Sequence, residues 1–330
     1  MADLTEAYLR DQLQTRRQKL ELAVVGGREA AGLRRLLDEV DAALNRMDAG
    51  TFGLCESCHE TIETDRLLAD PLVRFCLDHL TAAERRALEQ DLQMAALVQQ
   101  ELLPKRNLCC GGWETAYHYA PLGAVSGDYC DLVAHENESN DLWFALGDAS
   151  GKGVAASMLM TQLHAIFRTL IGSGLSVPAL VARASRIFCE STVSSLYATF
   201  VCGRAGASGD LEICNAGHCA VLLRQGGGVA RVEASGVPLG LFSEGEYSST
   251  KLHLASGDTL LLYTDGISEA RSPSQEEYGE NRLAAVLASC ATVLLPTLLQ
   301  ACLEDLKSFR ADAPLHDDVT LLAIRRQSKE

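Results

Sequence analysis

Apolar residues at helical spacing dominate the first part of the chain. Leucines separated by charged and amide residues predict a helix over residues 4–22, and a second apolar stripe predicts a helix over residues 29–47. Gly26 and Gly27 lie between the two helices. A short glycine turn between two helices is typical of an antiparallel hairpin, so residues 1–52 are expected to form one.

A third helical pattern runs from Ala82 to Leu103, where Pro104 ends it, within a connecting segment over residues 81–107. One side of this helix carries a heptad-like seam at steps of four and three: Leu88, Leu92, Ala95, Gln99 and Leu102. Two interpretations remain open. The seam could pair with its copy in a coiled-coil homodimer, or the helix could lie on its own domain.

From residue 108 to residue 327 the pattern is mixed. Strand-like apolar runs occur at Leu142–Leu146, Thr199–Gly203, Leu211–Cys214, Ala220–Leu223, Thr259–Tyr263 and Val319–Ile324. Helical runs occur at Ala155–Leu170, Val177–Val193, Arg282–Cys290 and Thr297–Phe309. Glycine-bearing turns at 206–209 and 226–228 predict antiparallel hairpins. Strands in groups, followed by helices, indicate an α+β layered fold.

The composition limits the classes of protein to consider. A length of 330 residues favours two or more domains. The net charge is −15, with 14 Lys and Arg against 19 Asp and Glu before Asn107 and 15 against 25 after it. Neither part is basic, which argues against direct nucleic-acid binding. Without an apolar leader or a long apolar run, we expect a soluble, cytoplasmic protein with no membrane contact and reduced cysteines.

Three cysteines and a histidine have the spacing of a zinc site, C-x2-C-x17-C-x2-H. The four residues are Cys55, Cys58, Cys76 and His79. Two close pairs of soft ligands form a closed tetrahedral zinc site, which leaves no position for water and is therefore structural. Residues 53–80 are too few to bury a core without help, so one zinc ion is expected to support their fold.

Four aspartates lie in short motifs beside the strand-like runs. They are Asp128 in SGDYCD, Asp148 in ALGDASGKG, Asp265 in LLLYTDGISEA and Asp317 in HDDVTLL. A strand end followed by a glycine turn holds a carboxylate in a fixed position, and converging carboxylates bind hard cations such as Mg or Mn. The GDASGKG segment lacks the G-x-x-x-x-G-K-[ST] spacing of a nucleotide-binding P-loop.

Residues 50–79, GTFGLCESCHETIETDRLLADPLVRFCLDH, resemble the C-terminal zinc finger of the DksA/TraR family. The helical hairpin before them fits the layout of that family. His79 stands where a fourth cysteine is more usual, and zinc accepts either ligand. Members of the family regulate RNA polymerase, so the resemblance implies a possible contact with RNA polymerase or another partner.

Seven motifs between Leu102 and Arg325 occur in the order of one phosphatase family. They are SGDYCD, GDASGKGVAASMLM, NAGH, GVPLGL, GDTLLLYTDGISEA, YGENRL and DDVTLL. Through them the chain resembles the SpoIIE/RsbU-type branch of the PPM (protein phosphatase 2C-like) Ser/Thr phosphatases. The resemblance implies an α+β fold in which a two-sheet antiparallel β-sandwich is flanked by helices and holds metal ions at one end.

The same resemblance implies a centre of two Mn or Mg ions. The implied ligands are Asp128, Asp148, the backbone carbonyl of Ala149, Asp265 and Asp317. Asp148 would bridge the two ions, and Asp317 matches the ligand position better than Asp318. Catalysis is then expected to depend on Asp148 and Asp265, with a metal-activated water as the nucleophile.

The implied function is hydrolysis of phosphoserine or phosphothreonine on a protein. By the resemblance, the substrate would be a phosphorylated anti-anti-sigma (STAS) protein in bacterial partner switching, and the zinc module would control the activity. The alternative is a non-enzymatic transcription regulator that docks on RNA polymerase or another partner through the zinc module.

Two further side chains near these motifs have alternative interpretations. His218 in NAGH either shapes a turn between two strands, which is the favoured reading, or donates a proton to the leaving oxygen. Lys152 is expected to be solvated, and contact with a substrate phosphate is the alternative.

Overall fold

The computed structural model describes residues 2–26, 30–79, 82–134, 140–192, 196–290 and 293–327. The chain divides into two compact units, Met1–Asp91 and Leu92–Glu330.

The first unit begins with the predicted helical hairpin, made of α1 (Ala2–Gly26) and α2 (Ala30–Asp48). Ion pairs join Arg10 to Asp48 and Arg17 to Asp41, so the two helices run antiparallel. Of the predicted turn, Gly26 is the last residue of α1, and Gly27 lies outside the described residues. A short helix, α3 (Thr64–Ala69), follows. One core unites hairpin and finger: Leu9, Leu13, Val40, Ala43, Leu44, Met47, Cys55, Ile62, Leu67 and Cys76.

The predicted connecting helix is present as α4 (Ala82–Leu102), and the boundary between the two units falls within it. Its predicted seam does not form one exposed stripe. Gln99 is buried, and Leu102 packs against the core of the second unit. Three other apolar side chains of α4 are exposed instead: Met94, Leu97 and Val98.

The second unit is an antiparallel β-sandwich, as predicted. The six-stranded sheet contains, in spatial order, β1 (Cys109–Cys110), β2 (Trp113–Ala120), β11 (Val319–Arg326), β10 (Thr259–Tyr263), β7 (Val221–Gln225) and β8 (Gly228–Val232). The five-stranded sheet contains β3 (Asp128–Ala134), β4 (Leu142–Ala149), β5 (Ala198–Ala205), β6 (Asp210–Ala216) and β9 (Thr250–His253). The predicted glycine turns join β5 to β6 and β7 to β8.

Helices cover both outer faces of the sandwich. They are α5 (Gly153–Ile171), α6 (Val177–Ser191), α7 (Asp265–Ser268), α8 (Glu280–Ser289) and α9 (Leu295–Arg310). Strands buried on both faces alternate between two cores. In β10, Leu260 and Leu262 point between the sheets, whereas Leu261 and Tyr263 pack under the helices. This alternation explains why the central strands are continuous apolar runs.

One helix in the described part of the chain, α5, is long and apolar enough to cross a membrane by length and composition. Half of its apolar stretch is buried, and Leu159, Leu163 and Phe167 pack in the core over the five-stranded sheet. These contacts are those of a core helix in a globular domain.

The six strands predicted from apolar runs are all present, but several others were missed. The missed strands are β1, β2, β3, β8 and β9. β1 is only two residues long, and polar residues interrupt the apolar pattern in the other four. Some of these residues have distant partners, such as Asp131 with Arg168 and Arg231 with Glu280. The predicted run Leu142–Leu146 also extends to Ala149, so Asp148 lies inside the strand rather than in the turn after it. The predicted end of α6, at Val193, lies outside the described residues.

Candidate active site and zinc cluster

Both sheets contribute aspartates to one end of the sandwich. Asp128 is the first residue of β3 and is paired in register with Asp148, near the end of β4. Asp265 begins α7 directly after β10, and Asp317 lies two residues before β11. The carboxylates of these four predicted residues lie close enough to act on one another's pKa values, so the structure brings the four together.

Asp128 is almost fully buried and is held across the two sheets. Its Oδ2 accepts hydrogen bonds from the hydroxyls of Thr264 (3.0 Å) and Thr320 (2.5 Å), which belong to the β10 and β11 side of the site. Burial raises the pKa of Asp128 well above its ordinary value, and the nearby Asp148 raises it further. Removing solvent and placing a second carboxylate nearby both disfavour the negative charge.

Asp148 lies near three other negatively charged side chains. Burial, followed by the charges of Asp265, Asp317 and Asp318, raises the pKa of Asp148 to about 7. Burial and Asp317 likewise raise the pKa of Asp265. Carboxylates that oppose one another in this way are relieved by a divalent cation with oxygen ligands. The residues present therefore fit Mn or Mg.

The two adjacent acids have different surroundings. Asp318 accepts backbone N–H bonds from Leu122 (2.7 Å) and Gly127 (2.9 Å), one at each carboxylate oxygen. Asp317 is part-exposed and pairs instead with Lys152. Asp318 thus holds the loop before β3, which agrees with the preference for Asp317 as a ligand; that assignment stays a prediction.

Backbone groups complete the same region. The carbonyl oxygen of Ala149 lies 3.2 Å from the point where a Cβ on Gly127 would be, and Oδ1 of Asp148 lies 3.5 Å from that point. A Cβ on Gly266 would lie 1.8 Å from the carbonyl oxygen of Asp318. Only glycine allows α7 to approach the start of β11 this closely. The Ala149 carbonyl is therefore beside Asp148, as its proposed role requires.

Lys152 is not simply solvated, contrary to the expectation from sequence. Its ammonium group lies 2.5 Å from Oδ2 of Asp317 and donates to the carbonyl of His316 at 2.7 Å. Lys152 and Asp317 are 165 residues apart in sequence, so no local pattern indicates this ion pair. Lys152 places one positive charge beside the acidic site.

The contacts of His218 favour the structural role expected from the sequence over the alternative of a proton donor. Burial lowers the pKa of His218 to about 4, so the ring is neutral near pH 7. Its Nε2 lies 3.1 Å from the carbonyl of Tyr263 and must donate, which leaves Nδ1 to accept from the Thr199 hydroxyl at 2.7 Å. His218 therefore links β5 to β10, the strands beside Asp148 and Asp265.

Three cysteines and a histidine form a second cluster, in the first unit. The ligand atoms of Cys55, Cys58, Cys76 and His79 all lie within 4.8 Å of one another. The Sγ atoms of Cys58 and Cys76 are 3.8 Å apart. Two thiolates bound to one tetrahedral zinc at the usual bond length are about 3.8 Å apart, so this cluster fits zinc. Burial opposes ionisation of Cys55, but backbone N–H groups lower its pKa to about 6, which favours the thiolate ligand.

The fold and the acidic end of the sandwich define a PP2C-type phosphatase domain. A family model described as stage II sporulation protein E (SpoIIE) matches residues 138–327, more than half of the chain. The chain belongs to this family. A second model, the prokaryotic dksA/traR C4-type zinc finger, matches residues 50–78. The two matches confirm the predicted arrangement of a SpoIIE-type domain with a dksA/traR-type zinc finger upstream of it.

Individual relatives agree with this assignment. The chain is 23% identical over 253 residues to phosphoserine phosphatase RsbU of Bacillus subtilis, covering 74% of this chain and 72% of RsbU. It is 25% identical over 269 residues to protein IcfG of Synechocystis, covering 72% of this chain but 41% of IcfG. The SiaA-PP2C domain of Pseudomonas aeruginosa has the same fold, with a TM-score of 0.65, 21% identity, and coverage of 74% of this chain and 98% of that domain.

The raised pKa of Asp148 predicts how stability depends on pH. Without added Mn or Mg, the native state keeps a proton on Asp148 that the unfolded chain releases near its ordinary pKa of 3.8. The contribution of Asp148 to stability therefore falls as pH rises from about 4 to about 7. We expect the Tm of Asp148→Asn, relative to wild type, to be higher at pH 8 than at pH 5. An equal difference at both pH values, measured by calorimetry, would contradict this electrostatic account.

The cysteine cluster predicts zinc-dependent folding of the first unit. Cys55→Ala should lower bound zinc from about one ion per chain and loosen residues 2–79, because the metal supplies folding free energy. The exposed Cys109, outside the cluster, provides the matched control Cys109→Ala. Zinc content by plasma mass spectrometry and limited proteolysis are the measurements. Equal zinc in the two variants would rule out the assigned ligand set.

Proposed function

We propose that this chain is a metal-dependent phosphatase that hydrolyses phosphoserine and phosphothreonine on a protein. The observation that carries the proposal is the convergence of Asp128, Asp148, Asp265 and Asp317 at one end of a PP2C-type sandwich. Family membership supports it, and RsbU, a relative, is named as a phosphoserine phosphatase.

The proposed metal ligands are those that the sequence indicated. They are Asp128, Asp148, the Ala149 carbonyl, Asp265 and Asp317, for two Mn or Mg ions. When bound, such ions supply an activated water and neutralise charge on the phosphoryl oxygens. Asp148 and Asp265 are the proposed catalytic residues. Thr264 and Thr320 donate hydrogen bonds to Asp128. His218 donates to the carbonyl of Tyr263, at the end of the strand before Asp265.

The surroundings of the core cysteines support water as the nucleophile. Burial raises the pKa of Cys214 to about 11 and that of Cys302 to about 12, and it also raises the pKa of Cys202 well above its ordinary value. These thiols stay protonated at neutral pH, whereas a cysteine nucleophile reacts as the thiolate. They act as small apolar residues in the sandwich.

The proposed substrate is a phosphorylated STAS-domain (anti-anti-sigma) protein in bacterial partner switching. The resemblance of the motifs to the SpoIIE/RsbU-type phosphatases supports this choice of substrate. We also propose that the protein is located in the cytoplasm. The net charge of −15 disfavours direct contact with nucleic acid. We further propose that the zinc module, residues 53–80, controls the phosphatase domain, residues 108–327, and that it contacts a partner such as RNA polymerase.

Phosphate release tests the enzymatic proposal. Wild-type protein with Mn should release phosphate from a phosphoserine STAS protein and from p-nitrophenyl phosphate. Asp148→Asn and Asp265→Asn should each lower the rate by at least about 100-fold, because several kcal/mol of charge stabilisation is lost. Asp210→Asn, at the exposed start of β6 and outside the aspartate cluster, should stay active. Mn-independent or absent release would contradict the proposal, and release from p-nitrophenyl phosphate alone would contradict the STAS substrate.

The exposed face of α4 supports a homodimer through the connecting helix. Met94, Leu97 and Val98 are 61%, 57% and 55% exposed and lie on one side of the helix. Gln99 and Leu102 of the heptad-like seam pack against the second unit, so the seam is not free to pair with a copy. We therefore place the dimer contact on the face formed by Met94, Leu97 and Val98. A second copy of the same helix would cover it as a coiled coil.

Charge on this face should dissociate the dimer. Leu97→Glu combined with Val98→Glu is expected to give a monomer by sedimentation equilibrium, because two buried carboxylates would oppose their copies. Gln100→Glu, at an exposed polar position of α4, is the control and should remain dimeric. A monomeric wild type, or a dimeric double variant, would disprove this contact.

A further inference from the structure

Gln99 is an isolated polar residue on the buried side of α4. It is 4% exposed, and the apolar Leu102 lies one turn further along the same side of the helix. A buried amide that lacks partners costs more than an apolar side chain of the same size. The position therefore requires partners for both ends of the amide.

Both ends of the amide bind the backbone of a single residue, Ser126. The Gln99 Nε2 donates to the carbonyl of Ser126 at 2.8 Å, and the Ser126 N–H donates to Oε1 of Gln99 at 3.0 Å. Two opposed hydrogen bonds fix both the position and the orientation of that peptide segment. Ser126 is itself fully buried, so water does not replace these bonds.

Ser126 in turn holds the first acidic residue of the site. Its Oγ accepts a hydrogen bond from the N–H of Asp128 at 3.0 Å. Asp318 holds the same loop from the other side, through the N–H groups of Leu122 and Gly127. A continuous path of hydrogen bonds therefore runs from α4 through Ser126 to Asp128.

We infer that Gln99 is a positioning residue that makes the placement of Asp128 depend on the docking of α4. This inference rests on the proposed function in naming Asp128 as a metal ligand. A rotation or shift of α4 would break both Gln99 bonds together, because they share one partner. Ser126 would then be released, and Asp128 would lose part of its support. The Gln99 side chain thus supports the placement of the first proposed cation ligand.

Hydrogen exchange tests the path without depending on catalysis. Gln99→Met keeps the length of the side chain and removes both hydrogen bonds. We expect the amides of Ser126 and Asp128 to exchange about tenfold faster in this variant without added Mn, as the loss of one or two buried hydrogen bonds implies. Gln100→Met, exposed on the same helix, should exchange as wild type does. Unchanged exchange in Gln99→Met would overturn the inference.

The affinity for Mn is the second readout. Calorimetry should show about tenfold weaker Mn binding in Gln99→Met, by the same loss of support, and saturating Mn should restore most of the phosphatase rate. A loss of rate that Mn does not restore would overturn a positioning role. Wild type without Mn-dependent phosphate release would instead disprove the proposed function, whatever the exchange rates show.

Ser126→Ala separates the two halves of the path. It removes the bond from Oγ to Asp128 and leaves both backbone bonds to Gln99. We expect faster exchange at Asp128 with unchanged exchange at Ser126. Equal changes at both amides in this variant would contradict the order of the path and would indicate general loosening of the loop.

Discussion

Mutual repulsion between buried carboxylates is the constraint on which the second unit depends. Burial and neighbouring acids raise the pKa values of Asp128, Asp148 and Asp265 together. Such a cluster is unfavourable unless protons or cations neutralise it. Packing and hydrogen bonds within the sandwich must therefore offset the unfavourable free energy of holding these carboxylates close together.

The two sheets share that task. The five-stranded sheet carries Asp128 and Asp148 in register, and the six-stranded sheet carries the segments with Asp265 and Asp317. Thr264 and Thr320 donate hydrogen bonds across the sandwich to Asp128. His218 links β5 of one sheet to β10 of the other. In the first unit the relation between metal and fold is reversed. There the cysteine cluster forms part of a small core, and the proposed zinc ion supports the fold instead of straining it.

The sequence contained the parts of this arrangement that are local. Apolar runs located the central strands, because these strands are buried on both faces. Spacing alone located the proposed zinc ligands, which the structure brings together, since each pair lies within one short turn. The missed strands β2 and β3 contain buried polar residues; Asp131 in β3, for example, is paired with Arg168 from α5. Periodicity does not reveal such residues, because distant partners satisfy them.

The contacts that organise the site are equally invisible to a local reading. Lys152 with Asp317 and Gln99 with Ser126 join segments far apart in sequence. The heptad-like seam shows the same limit, because Gln99 was interpreted as a polar seam position and is in fact a buried link to a loop. The order of the motifs identified the family, whereas only the structure showed the long-range contacts that hold the site residues in place.

Anomalous diffraction from a crystal grown with Mn tests the central claim most directly. The account predicts two Mn peaks about 3.5–4 Å apart. Asp148 should lie between them, with Asp128 on one ion and Asp265 and Asp317 on the other. Absence of Mn among these aspartates, or coordination by Asp318 in place of Asp317, would contradict the account.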